Sequence, residues 1–272
     1  SIISLFAVFV MHTYALGLRW KITDHAPWSN GYEALTFISW GTVLAGFLFI
    51  RSSKITLAGT SLLAFFILMT AGHSSFDPQL TNLQPVLKSY WLMIHVACIT
   101  ISYGFLGLGF ILGLINVCNY LFLKSGSKNL KTIISELTYV NEMTLTIGLA
   151  LATIGTFLGG IWANESWGRY WGWDAKETWA LVIVLTYAVV LHLRLIPGLK
   201  SKFIFNVASI LSFSSVLMTF IGVNYYLSKG LHSYARGETP AFPLWAWITI
   251  FSIFGIIILA GYNKNRLKAV TS

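Results

Sequence analysis

Charged residues are scarce in this chain: 10% of its 272 residues are Asp, Glu, Lys or Arg, whereas 56% are hydrophobic. Soluble domains carry about 25% charged residues, so this composition excludes an ordinary soluble globular protein. A helix needs about 20 mostly apolar residues to span a membrane. Eight stretches qualify, some of them marginally: 1–18, 35–50, 55–72, 89–122, 139–162, 178–196, 203–227 and 243–262.

The apolar stretches predict helices rather than the strands of an outer-membrane barrel. Barrel strands are about 10 residues long and alternate strictly between apolar and polar positions. These stretches are longer and do not alternate. The sequence therefore predicts an all-α fold, a polytopic transmembrane helical bundle with about eight spans. We expect residues 1–272 to form a single transmembrane domain with an external loop at about 162–179.

Cysteine is also scarce, which narrows the possible chemistry. Cys98 and Cys118 both lie in the fourth apolar stretch and form no C-x-x-C pair. Neither a thiol-redox motif nor a zinc site is therefore indicated, and both cysteines are interpreted as small apolar packing residues.

The net charge of +9 fits the cationic bias of membrane proteins. No basic patch interleaved with aromatic residues lies outside the spans, so we expect no nucleic-acid partner.

The beginning of the chain lacks the marks of a secretory signal. Ser1 is followed at once by hydrophobic sequence, with no basic region and no small-residue cleavage site. We therefore expect a fragment, a processed product or one part of a longer polypeptide.

The cations predict the orientation in the membrane. Eleven follow the second, fourth, sixth and eighth apolar stretches: Arg51, Lys54, Lys124, Lys128, Lys131, Arg194, Lys200, Lys202, Lys264, Arg266 and Lys268. The other loops hold seven cations and also seven acids. Because cationic loops stay in the cytoplasm, both termini are predicted to be cytoplasmic. The loop at 162–179 then faces the periplasm in a bacterium, or the thylakoid lumen in a plastid.

That loop, called here the Trp-rich segment, concentrates aromatic residues. Five of the chain's 11 tryptophans lie within it, where uniform scatter would place fewer than one. The candidate binding residues are Trp162, Trp167, Arg169, Tyr170, Trp171, Trp173, Asp174, Lys176 and Trp179. Aromatic rings beside cations suit a large planar ligand with carboxylates, such as haem; the alternative is a thick aromatic belt at the membrane boundary. Trp167 and Trp171 would share a face if the segment were helical.

Histidine is the commonest protein ligand of haem iron, and ionisable groups within spans are functional candidates. The chain has six: His12, His25, His73, His95, His192 and His232. His95 and His232 are predicted at the membrane level of the Trp-rich segment, where they could bind one iron. His192 is predicted at the inner end of the sixth span, so a haem there would be a second one.

Four stretches carry a resemblance to a known family. They are WGRYWGWDAKETWAL, HAPWSNGYEALTFISW, SYWLMIHVACITISYGFLGLGF and GVNYYLSKGLHSYARG. The first is similar to the WWD signature of haem-handling proteins, and together they resemble the CcsA (ResC) family of cytochrome c biogenesis system II. The resemblance covers nearly the whole chain. The first span and the absence of a starting Met suggest the C-terminal part of a fused CcsBA-type synthase, with a trimmed stand-alone CcsA as the alternative.

The resemblance implies roles for particular residues. His95 and His232 match the two external histidines that would bind the iron of haem b and act in catalysis. His192 matches the intramembrane histidine, whose partner histidine belongs to a CcsB (ResB) segment. Arg169, Lys176 or Arg236 would pair with the propionates. Asp174 and Glu177 would fix the loop or contact the apocytochrome, or else cap a helix.

The resemblance also implies an activity in the bacterial inner membrane, or in a thylakoid membrane. Haem would move to the outer face and be attached there to the C-x-x-C-H motif of an apocytochrome c, which makes the chain a holocytochrome c synthase when joined by a CcsB-like partner. The alternative is a haem exporter, or a system I haem handler that passes haem to a chaperone without forming the thioether.

Overall fold

The computed structural model describes residues 2–72, 78–80, 89–227 and 242–271. These ranges contain eight long helices. Their bounds are α1 Ile2–Thr23, α2 Gly31–Leu48, α3 Lys54–Ala71, α4 Tyr90–Leu121, α5 Lys128–Trp167, α6 Ala175–His192, α7 Lys202–Leu217 and α8 Leu244–Thr271. A 3-10 turn at Leu193–Leu195 follows α6. A π-helical turn at Met218–Gly222 and the short helix Val223–Tyr225 extend α7.

Each of the eight helices overlaps one of the predicted apolar stretches, which confirms the all-α fold. Among the described residues, seven of them are long and apolar enough to cross a membrane. The exception is α2, which has 18 residues and includes Glu33 in its first turn. The chain is a multi-pass helical membrane protein.

Local sequence sets where several helices begin and end. Asn30 caps α2, because its side-chain oxygen accepts the backbone N–H of Glu33 at 2.8 Å. At the end of α5, Gly168 adopts a φ of +72°, a conformation that glycine tolerates without steric cost. The N–H of Gly168 still donates to the carbonyl of Asn164 at 2.9 Å, and the chain leaves the helix directly afterwards.

The chain divides into two compact units. The first comprises Ser1–Leu108 and Thr144–Trp173, and the second comprises Gly109–Met143 and Asp174–Ser272. The long helices α4 and α5 each contribute residues to both.

In the first unit, small residues and aromatic rings bring the helices together. Helix α2 packs against α3 at Gly46, where an added Cβ would lie 2.5 Å from the hydroxyl oxygen of Thr60. Helix α1 packs against α2 through stacked rings: Phe9 and Trp40 have centroids 5.5 Å apart. Close packing of this kind is what holds helices together in lipid, since the surroundings are as apolar as the side chains.

In the second unit, a fully buried asparagine network joins α4, α5 and α7. Asn116 and Asn141 both donate from Nδ2 to Oδ1 of Asn206, at 3.2 and 3.0 Å. Asn206 donates in turn to the hydroxyl of Thr138 at 2.9 Å, and Asn141 to that of Ser209 at 3.0 Å. Buried amides need such partners, because an unpaired polar group in an apolar interior is costly.

Candidate functional site

The Trp-rich segment begins on the last turns of α5 and continues as irregular chain to the start of α6. Trp162 and Trp167 pack edge to face, with centroids 4.7 Å apart. Trp171 and Trp173 form a second edge-to-face pair at 5.7 Å. The segment folds back on α5, since a Cβ added at Gly160 would lie 3.1 Å from the carbonyl oxygen of Tyr170.

The aromatic residues of the segment differ sharply in exposure. Trp162 is 1% exposed and belongs to the core, whereas Tyr170 is 64% exposed and Trp173 is 70% exposed. Trp173 also has a φ of +59°, which is unusual for a bulky residue. Strained backbone of this kind persists where the surroundings impose it and is common at functional sites. Tyr170 and Trp173 therefore offer most of the segment's open aromatic surface.

Trp167 and Trp171 do not share a helical face. Trp167 is the last residue of α5, and Trp171 lies in the irregular chain beyond it. A shared face was expected only if the segment were helical through Trp171, and Gly168 ends α5 before that residue.

A cation and an indole donor accompany these rings. The guanidinium of Arg169 fills the space in which a side chain at Gly172 would stand. The indole nitrogen of Trp171 is buried and has no hydrogen-bond acceptor among the described residues. Both groups are donors, so the segment has hydrogen-bonding capacity for a carboxylate.

His95 lies in the second turn of α4 and is held against α5. Its ring Nδ1 is 2.6 Å from the carbonyl oxygen of Gly155. A carbonyl can only accept, so Nδ1 carries the proton, and in a neutral ring the lone pair is then on Nε2. The ring lies directly over Gly159, where an added Cβ would be 2.6 Å from Cε1 of His95.

One hydrogen bond fixes the level of His95 relative to the Trp-rich segment. Ser89, just before α4, donates to a carboxylate oxygen of Glu165 near the end of α5 at 3.0 Å. His95 lies six residues after Ser89, and Gly159 lies six residues before Glu165. At 1.5 Å per residue, the imidazole is about 9 Å further along the helices than this hydrogen bond. The first unit thus brings His95 and residues Trp162–Trp173 to one end of the α4–α5 pair.

The remaining residues of the Trp-rich segment belong to the second unit. Asp174 caps α6, with its side chain accepting the N–H of Glu177 at 2.9 Å, which confirms the helix-capping interpretation of Asp174. Glu177 is buried, whereas Lys176 and Trp179 are partly buried.

His192 is the last residue of α6, and its side chain is exposed. Its Nδ1 is 2.7 Å from the carbonyl oxygen of Ala188, one turn earlier in the same helix. Leu185 and Val189 are exposed at the spacing of one helical face with His192, and Ile196 is exposed just after the 3-10 turn that follows α6.

Three residues considered in the sequence, His73, His232 and Arg236, lie outside the described residues. Among the described residues, no group of three or more His, Cys, Asp or Glu side chains could hold a metal ion. A histidine pair on a haem iron is a different arrangement, because the porphyrin supplies the other ligands.

Two features of the first unit were not expected from the sequence. The first feature is the close approach of α4 to α5 at Gly155 and Gly159. These glycines form a G-x-x-x-G pattern within an apolar stretch, which is a known signal for close helix packing. The second feature is an ion pair, in which Arg19 binds Glu33 at 2.7 Å. Burial raises the pKa of the Glu33 carboxyl, but hydrogen bonds from Ser29 and Arg19, together with the Arg19 charge, outweigh burial and hold that pKa below its ordinary value.

Fold and site together define a multi-pass helical membrane protein that carries a Trp-rich segment and a hydrogen-bonded histidine at one end of a helix pair. Comparison with known proteins identifies its family. The Cytochrome C assembly protein family matches residues 28–232 of the chain. The chain belongs to this family. The matched range contains the Trp-rich segment, His95 and His192, and it ends at His232.

Individual relatives agree with this assignment. Protein NrfI of Wolinella succinogenes is 47% identical over 231 residues, which cover 85% of this chain and 26% of the relative. The cytochrome c biogenesis protein CcsA of Chlamydomonas reinhardtii is 34% identical and is covered over 63% of its length. CcsA of Prochlorococcus marinus is 35% identical over 258 residues, with 80% of the relative covered. The chain therefore spans about a quarter of NrfI and under two thirds of the algal CcsA.

Proposed function

We propose that this chain presents haem b at the outer face of the membrane for covalent attachment to apocytochromes c. Membership of the Cytochrome C assembly protein family supports a role in that process. The observation that carries the proposal is the placement of His95 in the same unit, and at the same end of α4 and α5, as Trp162–Trp173. His232 is proposed as the second axial ligand.

The chemistry of these residues fits a haem substrate. An imidazole whose Nδ1–H is bound to a carbonyl presents the nitrogen that iron requires. Tyr170 and Trp173 are exposed aromatic rings that suit the apolar face of a macrocycle. The guanidinium of Arg169 and the indole N–H of Trp171 are donors for propionate oxygens, and Lys176 and Arg236 are proposed as further cations of this kind.

Attachment requires no oxidant. Each thiol of the C-x-x-C-H motif adds across one haem vinyl group, so that a carbon–sulfur bond forms and the thiol hydrogen ends on the neighbouring vinyl carbon. The protein's contribution is to hold both vinyl groups in one orientation while the two thiols approach, which lowers the entropic cost of reaction. His95 and the Trp-rich segment supply that orientation.

We further propose that His192 belongs to an inner haem site completed by a CcsB-like membrane segment. A histidine exposed on the surface of a membrane helix is costly unless something covers it. Leu185 and Val189 on the same face give an apolar surface for a further helix. The partner segment would be fused to this chain or supplied separately, and the chain would act as a holocytochrome c synthase only together with it.

The proposed location is a bacterial inner membrane with both termini in the cytoplasm and the Trp-rich segment in the periplasm, or a thylakoid membrane in a plastid. The cation-rich loops support this orientation. Residues 1–272 are proposed to act as one haem-handling domain.

The alternative is a haem exporter, or a system I-type handler that gives haem to a chaperone. Co-expression with an apocytochrome separates the two. The full-length protein, with its partner segment, is expressed with a C-x-x-C-H apocytochrome or with an S-x-x-S-H control. Haem staining after denaturing electrophoresis should label only the cysteine form. Haem that reaches the outer face without any stained cytochrome band would instead favour the exporter.

A further inference from the structure

Helices α4 and α5 approach each other closely along a row of glycines in the first unit. Gly148, Gly155 and Gly159 lie on one face of α5 and meet Leu106, Ile99 and His95 of α4 in turn. Cβ atoms added at these glycines would lie 2.6 Å from Leu106 Cδ2, 2.8 Å from Ile99 Cδ1 and 2.6 Å from His95 Cε1. All three distances are shorter than real Cβ contacts allow, so this close packing requires a residue without a side chain at each of the three positions.

The contact at His95 differs from the other two because the partner is an imidazole with a defined hydrogen bond. Its Nδ1–H donates to the carbonyl of Gly155 at 2.6 Å. An added Cβ at Gly159 would lie 2.7 Å from Nδ1 and 3.2 Å from Nε2 as well. The imidazole therefore packs on the backbone of α5 at Gly159, and the carbonyl of Gly155 selects its tautomer.

We propose that Gly155 and Gly159 are positioning residues for His95. The open surface at Gly159 admits the ring, and the carbonyl of Gly155 holds the proton on Nδ1, so that the lone pair of Nε2 keeps one fixed direction. A carbonyl bonded to Nδ1–H also makes the other ring nitrogen a stronger donor to iron. The proposal rests on the proposed function, in which His95 binds haem iron.

The test uses the cavity that His95→Gly leaves. The full-length protein with its partner segment is purified with haem b, and imidazole is titrated while the absorption spectrum is recorded. If His95 is an iron ligand, His95→Gly alters the haem spectrum and added imidazole restores it. A spectrum unchanged by His95→Gly would contradict the proposed function itself, before the positioning role is tested.

The positioning role is tested by adding Gly159→Ala to His95→Gly. The new methyl group enters the space of the ring, so the Kd of imidazole should rise about tenfold, the lower end of what outer-shell changes cost at metal sites. With His95 retained, Gly159→Ala alone should reproduce the altered spectrum of the His95→Gly protein.

Two matched controls separate positioning from general packing. Gly148→Ala crowds α4 to the same degree, but at Leu106 rather than at the ring. Gly17→Ala makes the same substitution where nothing lies within 4 Å. Both should leave the spectrum and the imidazole Kd unchanged. An equal effect of Gly148→Ala, or no effect of Gly159→Ala in a protein that responds to His95→Gly, would overturn the proposal.

Discussion

Replacing Asn206 by leucine tests whether the buried asparagine network holds the second unit together. The side chain makes three hydrogen bonds to other helices: it accepts from Asn116 and Asn141 and donates to Thr138. Interhelical hydrogen bonds in membrane proteins average about 0.6 kcal/mol each, so Asn206→Leu should cost about 2 kcal/mol.

The remaining hydrogen bonds limit the cost of this substitution. Nδ2 of Asn116 still donates to the carbonyl of Ile134, and Nδ2 of Asn141 still donates to Ser209. Neither amide loses its last acceptor, but one of the two Nδ2–H groups of Asn141 loses its partner, so about 2 kcal/mol is a lower bound.

The assay is unfolding of the purified protein by SDS in mixed micelles, followed by helical circular dichroism. Asn129→Leu is the matched control, because Asn129 is exposed near the start of α5. The Asn206→Leu protein should unfold at a lower SDS fraction than wild type, and the control should not. Coincident unfolding curves for Asn206→Leu and wild type would show that the asparagine network does not stabilise the second unit.

Three further predictions concern the ends of the helices. Because the folded protein lowers the pKa of Glu33, this carboxylate stabilises it fully above the ordinary value of 4.5, and the stabilisation is lost as pH falls through the lower folded value. In Glu33→Gln, the unfolding temperature should therefore fall less steeply with decreasing pH below about 4.5 than it does in wild type. The same pH dependence in both proteins would contradict this. Asp174→Ala should cost about 1 kcal/mol in SDS unfolding through loss of the α6 cap, and Asp174→Asn should recover most of it. The double substitution Trp167→Ala and Trp171→Ala should lower the haem content of purified protein without changing its helical circular dichroism. A normal haem content would favour an ordinary aromatic belt as the role of the Trp-rich segment.

The helices could be predicted from the sequence because the length of an apolar run is set by the bilayer. The prediction located the membrane-crossing part better than the helix ends. Helix α5 begins at Lys128, well before the apolar stretch at 139–162, since a helix continues through polar sequence once it has left the lipid. Hydropathy carries no information about that extension.

The candidate site could be predicted only in part, for reasons that differ between residues. Clustering of tryptophan identified the segment, but the exposed surface falls on Tyr170 and Trp173 because the backbone turns after Gly168. The support of His95 by Gly155 could have been suspected from the G-x-x-x-G pattern. The hydrogen bond itself depends on which residue of α4 faces that pattern, and helical register between two helices is a tertiary property.

His95 is proposed to bind haem iron beside the Trp-rich segment. The most direct measurement is the absorption spectrum of haem b in the full-length protein carrying His95→Ala, with His25→Ala as the control. His25 lies between α1 and α2, and its Nδ1 is 3.1 Å from the carbonyl oxygen of Ala26. His95→Ala should change the iron coordination spectrum and lower the haem content, whereas His25→Ala should change neither. A wild-type spectrum and haem content in the His95→Ala protein would show that His95 is not an iron ligand.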